Sequence, residues 1–147
     1  MPGHELPTCR RAVQPPGAAT TANGSEPVLI DSSGWLEYLT SDEKASLFAP
    51  YLESKRRVVV PTIVIFEVRK ILLLRKSKES AAAFVSQASR REVANLDTGI
   101  ALYAAEVGIR HQLPMADAII YATALTYQAQ LITTDAHFSG LLGVTIL

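Results

Sequence analysis

Two short apolar runs in this chain each end in a carboxylate. Residues 28–35 read VLIDSSGW and residues 131–135 read LITTD, so Asp31 and Asp135 stand at or just past the ends of strand-like segments. Two more acids have apolar neighbours: Glu67 in TIVIFEVRKILLL and Asp117 in LPMADAIIYATAL. At helical spacing Glu67 shares a face with Ile63, Ile71 and Leu74, and Asp117 with Leu113, Ile120, Tyr121 and Ala124. Such faces are expected to turn toward the core, where an isolated carboxylate is costly or gives up its charge.

Each acid alone has a plain explanation. Asp31 and Asp135 suit turns or helix N-caps. Asp117 falls in the first turn after Pro114, where the helix dipole favours an anion. Glu67 can reach Lys70 at i+3. Jointly they say more. Two acids at strand ends and two on inward helix faces can converge at one end of a sheet, and four converging carboxylates repel unless a cation offsets them. Oxygen ligands without a Cys or His cluster point to Mg²⁺ or Mn²⁺ rather than zinc, and His4, His111 and His137 lack an HxxxH-like spacing. Sites of this kind do phosphoryl-transfer or phosphodiester chemistry. Ser32 and Thr133 are the nearest hydroxyls, placed to orient a carboxylate or a water.

The elements that would position these groups alternate along the chain. Val28–Ile30, Arg57–Val60, Val93–Leu96, Leu131–Thr133 and Val144–Leu147 read as strands. Helices are expected from Ser33 to Leu39, from a capping box at Thr40–Glu43 to about Pro50, from a Thr62 cap to about Arg75, and over 77–89. Two more start at Asp97 or Thr98 and at Pro114, the last reaching about Ala129. Continuous apolar strands between helices predict an α/β fold: a three-layer α/β/α domain with a central, mostly parallel sheet. Ligands in such folds collect beyond the C-terminal strand ends, where strand order reverses.

Composition sets the remaining bounds. The chain has 147 residues, enough for one domain with a real core. Residues 1–27 hold five of the eight prolines and no periodic pattern, so a disordered leader is expected there, with the folded domain over 28–147. No apolar run approaches the roughly 20 residues of a membrane span. Cys9 is the only cysteine, which excludes an intrachain disulfide and fits a reducing cytoplasm. Fourteen basic residues balance fourteen acidic ones, so distribution matters more than the total. Arg69, Lys70, Arg75, Lys76 and Lys78 form a basic stretch that reads either as solvated helix surface or as a phosphate-contacting rim.

The stretches VLIDSSGWLEYL, PTIVIFEVRKIL, LPMADAIIYATA and LITTDAHF resemble, in order and spacing, the four acidic motifs of the PIN domain. They are most similar to those of the VapC-type ribonuclease toxins of toxin–antitoxin modules. The resemblance covers about residues 28–147. It implies a Mg²⁺-dependent endoribonuclease, a homodimer and inhibition by a cognate antitoxin. By motif, its metal-site acids fall on Asp31, Glu67, Asp117 and Asp135, and its (S/T)-x-D element on Thr133 and Asp135. The leader departs from the compact pattern of these toxins.

Two other function classes are open to such a chain. A non-catalytic PIN scaffold would bind RNA or protein without cutting. A Mg²⁺-dependent phosphatase of the dehalogenase type wants a second aspartate two positions after the first, and here that position is Ser33. A nuclease assay with and without Mg²⁺ separates these classes.

Overall fold

The computed structural model of the chain describes residues 26–147. The leader expected over 1–27 lies outside them except for Glu26 and Pro27. The elements run β1 (Val28–Ile30), α1 (Ser32–Thr40), α2 (Asp42–Leu52), β2 (Val58–Pro61), α3 (Thr62–Arg75), α4 (Lys78–Ser89), β3 (Glu92–Ala94), α5 (Thr98–His111), α6 (Met115–Thr126), β4 (Gln130–Thr133) and β5 (Val144–Ile146), with a 3-10 turn at Ala136–Phe138 before β5.

The five strands form one sheet in the order β3-β2-β1-β4-β5, and every pairing is parallel. β1 is central, with Ile30 opposite Ile132 of β4 and Val28 opposite Val58 of β2. Val28, Leu29 and Ile30 are fully buried because both faces and both edges of their strand are covered. Crossovers carry β1 to β2 to β3 in one direction and then return the chain to β4 on the other side of β1. The right-handed connection rule for parallel strands assigns α1–α4 to one face and α5 with α6 to the other. Packing agrees: α1 lies on α2 and α3, α3 on α4, and α5 on α6. Strand order reverses between β1 and β4, so the loops after these strands diverge and leave a cleft at the C-terminal edge of the sheet.

Local differences from the sequence expectation have simple causes. Thr40 closes α1 with its hydroxyl on the Leu36 carbonyl at 2.6 Å, and Ser41 caps α2 by accepting from the Lys44 N–H. The one-residue shift puts Lys44 at the third helical position, so no reciprocal box forms. Pro50 does not stop α2, which runs on to Leu52. Pro61, not Thr62, precedes α3, and the Thr62 hydroxyl instead accepts the Leu96 N–H at 3.1 Å, tying down the loop before α5. β3 pairs over Glu92–Ala94 rather than 93–96, because its register is set by β2. α6 ends at Thr126, where Tyr127 and the left-handed Gln128 turn the chain into β4.

Candidate active site

Asp31 is positioned from three sides. It follows β1 directly and caps α1, accepting the Gly34 N–H at Oδ1, 3.0 Å. A Cβ at Gly34 would meet Ile30 Cγ2 at 2.6 Å and Phe48 Cε1 at 2.7 Å, so the absent side chain is what lets α1 settle against the sheet. Oδ2 accepts from the Ser33 hydroxyl at 2.9 Å and from the Thr133 hydroxyl at 2.7 Å. Thr133 in turn accepts the Asp135 N–H at 2.9 Å. One hydroxyl at the end of β4 therefore fixes both strand-end acids. Asp31 is buried, and desolvation pushes its pKa above the ordinary aspartate value; the hydrogen bonds pull the other way without cancelling it, and Asp135 adds repulsion.

Glu67 projects from the second turn of α3 and accepts the Ser32 hydroxyl. The buried stripe of α3 is Val64, Val68 and Leu72. Glu67 lies beside that stripe rather than in it. Ile63 and Ile71 on its face are half-buried, while Leu74, expected inside, is 75% exposed. Asp117 sits in the first turn of α6, half-buried. Desolvation raises its pKa, repulsion from Asp135, Asp31 and Glu67 adds to that, and His137 opposes it. Among the described residues His137 is its only polar partner, with Nδ1 3.6 Å from Asp117 Oδ2.

Asp135 caps the 3-10 turn by accepting the His137 N–H at 2.9 Å, and the same imidazole turns Nδ1 back to Asp135 Oδ1 at 3.0 Å. His137 is the residue that sequence reasoning passed over. Its spacing from other histidines carries no signal; its position two residues after Asp135 does, since a cap that short brings the ring onto its own carboxylate. Asp117, Asp135 and His137 offer three ligand atoms within 4.8 Å of one another.

Asp31, Ser32, Glu67, Lys70, Asp117 and Asp135 line one cleft of about 380 Å³. Lys70 is the sole cation in that lining; Arg69, Arg75, Lys76 and Lys78 are exposed and lie outside it. The opposite layer carries an apolar groove of about 450 Å³ between α5 and α6, lined by Ala104, Gly108, Ile109, Met115 and their neighbours without an ionisable group. Of these two hollows, the acidic cleft is the one that carries ionisable groups. Among the described residues, four carboxylates facing one lysine, with the His137 imidazole against Asp117 and Asp135, leave excess negative charge, and the all-oxygen donors of the acids suit a hard divalent cation.

A family model described as PIN domain matches residues 28–141. The chain belongs to the PIN-domain family. The fold of this PIN domain recurs in solved structures of low identity. A toxin–antitoxin complex from Klebsiella pneumoniae matches with a TM-score of 0.70 at 21% identity, covering 80% of this chain and 95% of that one. VapBC2 from Rickettsia felis, bound to a DNA fragment from their promoter, matches at 0.65 and 13% identity over 82% and 97% of the two chains. VapC20 from Mycobacterium tuberculosis, described as a sarcin-ricin loop cleaving toxin, matches at 0.59 and 20% identity over 76% and 92%. No curated protein matches the chain. No helix among the described residues is long and apolar enough to cross a membrane.

Proposed function

We propose that this PIN domain is a Mg²⁺-dependent endoribonuclease acting in the cytoplasm as the toxin of a toxin–antitoxin pair. The observation that carries the reading is the acidic cleft itself: Asp31, Glu67, Asp117 and Asp135 face one space whose charge the described residues do not balance. The toxin–antitoxin neighbours of the same fold support the biological role. In this reading Asp31, Glu67, Asp117 and Asp135 hold Mg²⁺, and Mn²⁺ can replace it. A bound dication supplies an activated water and offsets charge on the leaving oxygen. Thr133 holds Asp31 and Asp135 in register, and Ser32 orients Glu67. Lys70 meets the phosphate at the mouth of the cleft, and Arg69, Arg75, Lys76 and Lys78 track the RNA backbone beyond it.

A homodimer and a cognate antitoxin belong to the same reading. Leu73 and Leu74 are exposed on α3 and suit a protein contact. Light scattering at tens of micromolar should show a dimer; a monomer there would count against it. The deciding experiment is cleavage of end-labelled RNA by the purified protein in EDTA, Mg²⁺ and Mn²⁺. Internal cuts that need metal and return when Mg²⁺ is added back are expected. Intact RNA under all three conditions would overturn the nuclease reading.

A further inference from the structure

We propose that Phe66 is a stacking platform for an unpaired base flanking the cut phosphate, and that Lys70 holds the phosphate beside it. The inference rests on the ribonuclease reading and adds the feature of the substrate that this cleft would select.

Phe66 is 60% exposed on α3, although the helix already has its buried stripe in Val64, Val68 and Leu72. Folding therefore has little use for the ring. It lines the same cleft as the four carboxylates, directly preceding Glu67 in sequence. Leu73 and Leu74, exposed further along α3, do not line the cleft, which separates them from Phe66 in role. Leu36 and Ile71 continue the apolar lining beside it. The Lys70 ammonium lies 5.8 Å from the Phe66 ring centroid, within the range of a cation–π contact.

This pairing matches the two parts of a nucleotide. An anionic strand approaching four carboxylates meets one cation in the lining, Lys70, and a π-face beside it. Base–aromatic stacking tolerates any base but requires that the base be free of a duplex partner. The ring would thus favour single-stranded segments and loops over paired RNA, while the carboxylates act on the adjacent phosphate.

The test uses the full chain and a set of short RNAs, each with one abasic position around the cut. Phe66→Ala is expected to lower kcat/KM on intact RNA by about 5- to 150-fold, the range that loss of one base–aromatic stack implies. One abasic position should cost wild type a similar factor, and on that RNA Phe66→Ala should cost nothing further. Phe66→Trp should retain activity. Lys70→Ala should flatten the dependence of log KM on log salt by about 0.7, the release expected for one single-strand phosphate contact. The same RNAs are titrated by fluorescence anisotropy against Asp117→Asn protein with and without the Phe66 change, which reads stacking without cutting. Cleavage and affinity within twofold of wild type, or an equal loss on every abasic RNA, would overturn the inference. So would a change in oligomeric state or antitoxin affinity with RNA binding untouched, which would assign the ring to a protein partner. Coupled loss in the binding titration without any cleavage by wild type would keep the stacking platform and discard the nuclease reading.

Discussion

Asp31 and Asp117 face the same cleft, and both bind a proton more tightly than an ordinary aspartate, yet the protein holds them in different ways. Asp31 receives three donors from its own chain: the Gly34 N–H and the Ser33 and Thr133 hydroxyls. Among the described residues Asp117 has only His137 at 3.6 Å and three carboxylates around it. The first is built into the fold as a cap and as a link between β1 and β4. The second is left with unspent acceptor capacity. A carboxylate that serves structure is satisfied by protein donors; one reserved for a cation is not. The same carboxylate can do both, and in the proposed reading Asp31 does, because a bound cation needs only the lone pairs that its three donors leave free.

The largest expected effect tests the unsatisfied member. Asp117→Asn should lower Mg²⁺-dependent RNA cleavage by at least about 100-fold, the upper end of what loss of an outer-sphere partner alone costs. In EDTA it should melt at or above the wild-type temperature, since repulsion falls. Wild-type cleavage by a folded Asp117→Asn protein would remove Asp117 from the site.

Thr133 is the next lever, because it joins the two strand-end acids. Thr133→Val keeps the shape, removes the bond to Asp31 and the acceptor for the Asp135 N–H, and should reduce cleavage by about 10- to 100-fold. If the Mg²⁺ concentration for half-maximal activity stays unchanged, Thr133 is not aligning metal ligands.

Stability separates the two aspartates directly. Asp31→Ala deletes the α1 cap and strands the buried Thr133 hydroxyl, so urea unfolding in EDTA should show a loss of about 1–3 kcal/mol. Asp117→Ala should stay within about 0.5 kcal/mol of wild type or gain. Equal losses would erase the contrast.

The smallest effect is the pH dependence. Asp117 is raised in the folded state, so the folded protein holds its proton where the unfolded chain has released it. The contribution of Asp117 to stability in EDTA then falls as pH rises from the ordinary value of 3.8 through the raised one. The melting difference between Asp117→Asn and wild type should accordingly be near zero below about pH 3.8 and grow above it. Adding Mg²⁺ at neutral pH should remove or reverse the difference, because the cation replaces the proton. A difference that shrinks with rising pH would show Asp117 to be stabilised as an anion without metal.

Much of this was legible in the chain. VLI and VVV are continuous apolar runs and LIT is nearly so, and such runs become central parallel strands wherever helices separate them. The acids were legible because a charge at the end of a buried strand, or on an apolar helix stripe, conflicts with its neighbours unless it has a partner. The misreadings came from local rules with near-equal alternatives. Thr40 and Ser41 both suit a cap, and α1 runs on through Thr40, which leaves Ser41 to cap α2. Leu74 shares a helical face with Glu67, but α3 turns Val64, Val68 and Leu72 inward and leaves Leu74 in solvent.

By itself the sequence determined the strands, the helices and the four carboxylates, because hydrophobic period and charge are properties of neighbours in the chain. Only the tertiary structure decided which acids meet, and through what. The bond from Thr133 to Asp31 joins residues 102 positions apart and exists because the chain returns from β3 to lay β4 beside β1. Folding back along that path also sets Asp117 of α6 near His137, brings Glu67 into the same cleft and leaves Phe66 at its rim. No local propensity encodes such placements. They follow from strand order and crossover handedness, which are fixed when separate apolar surfaces are buried together.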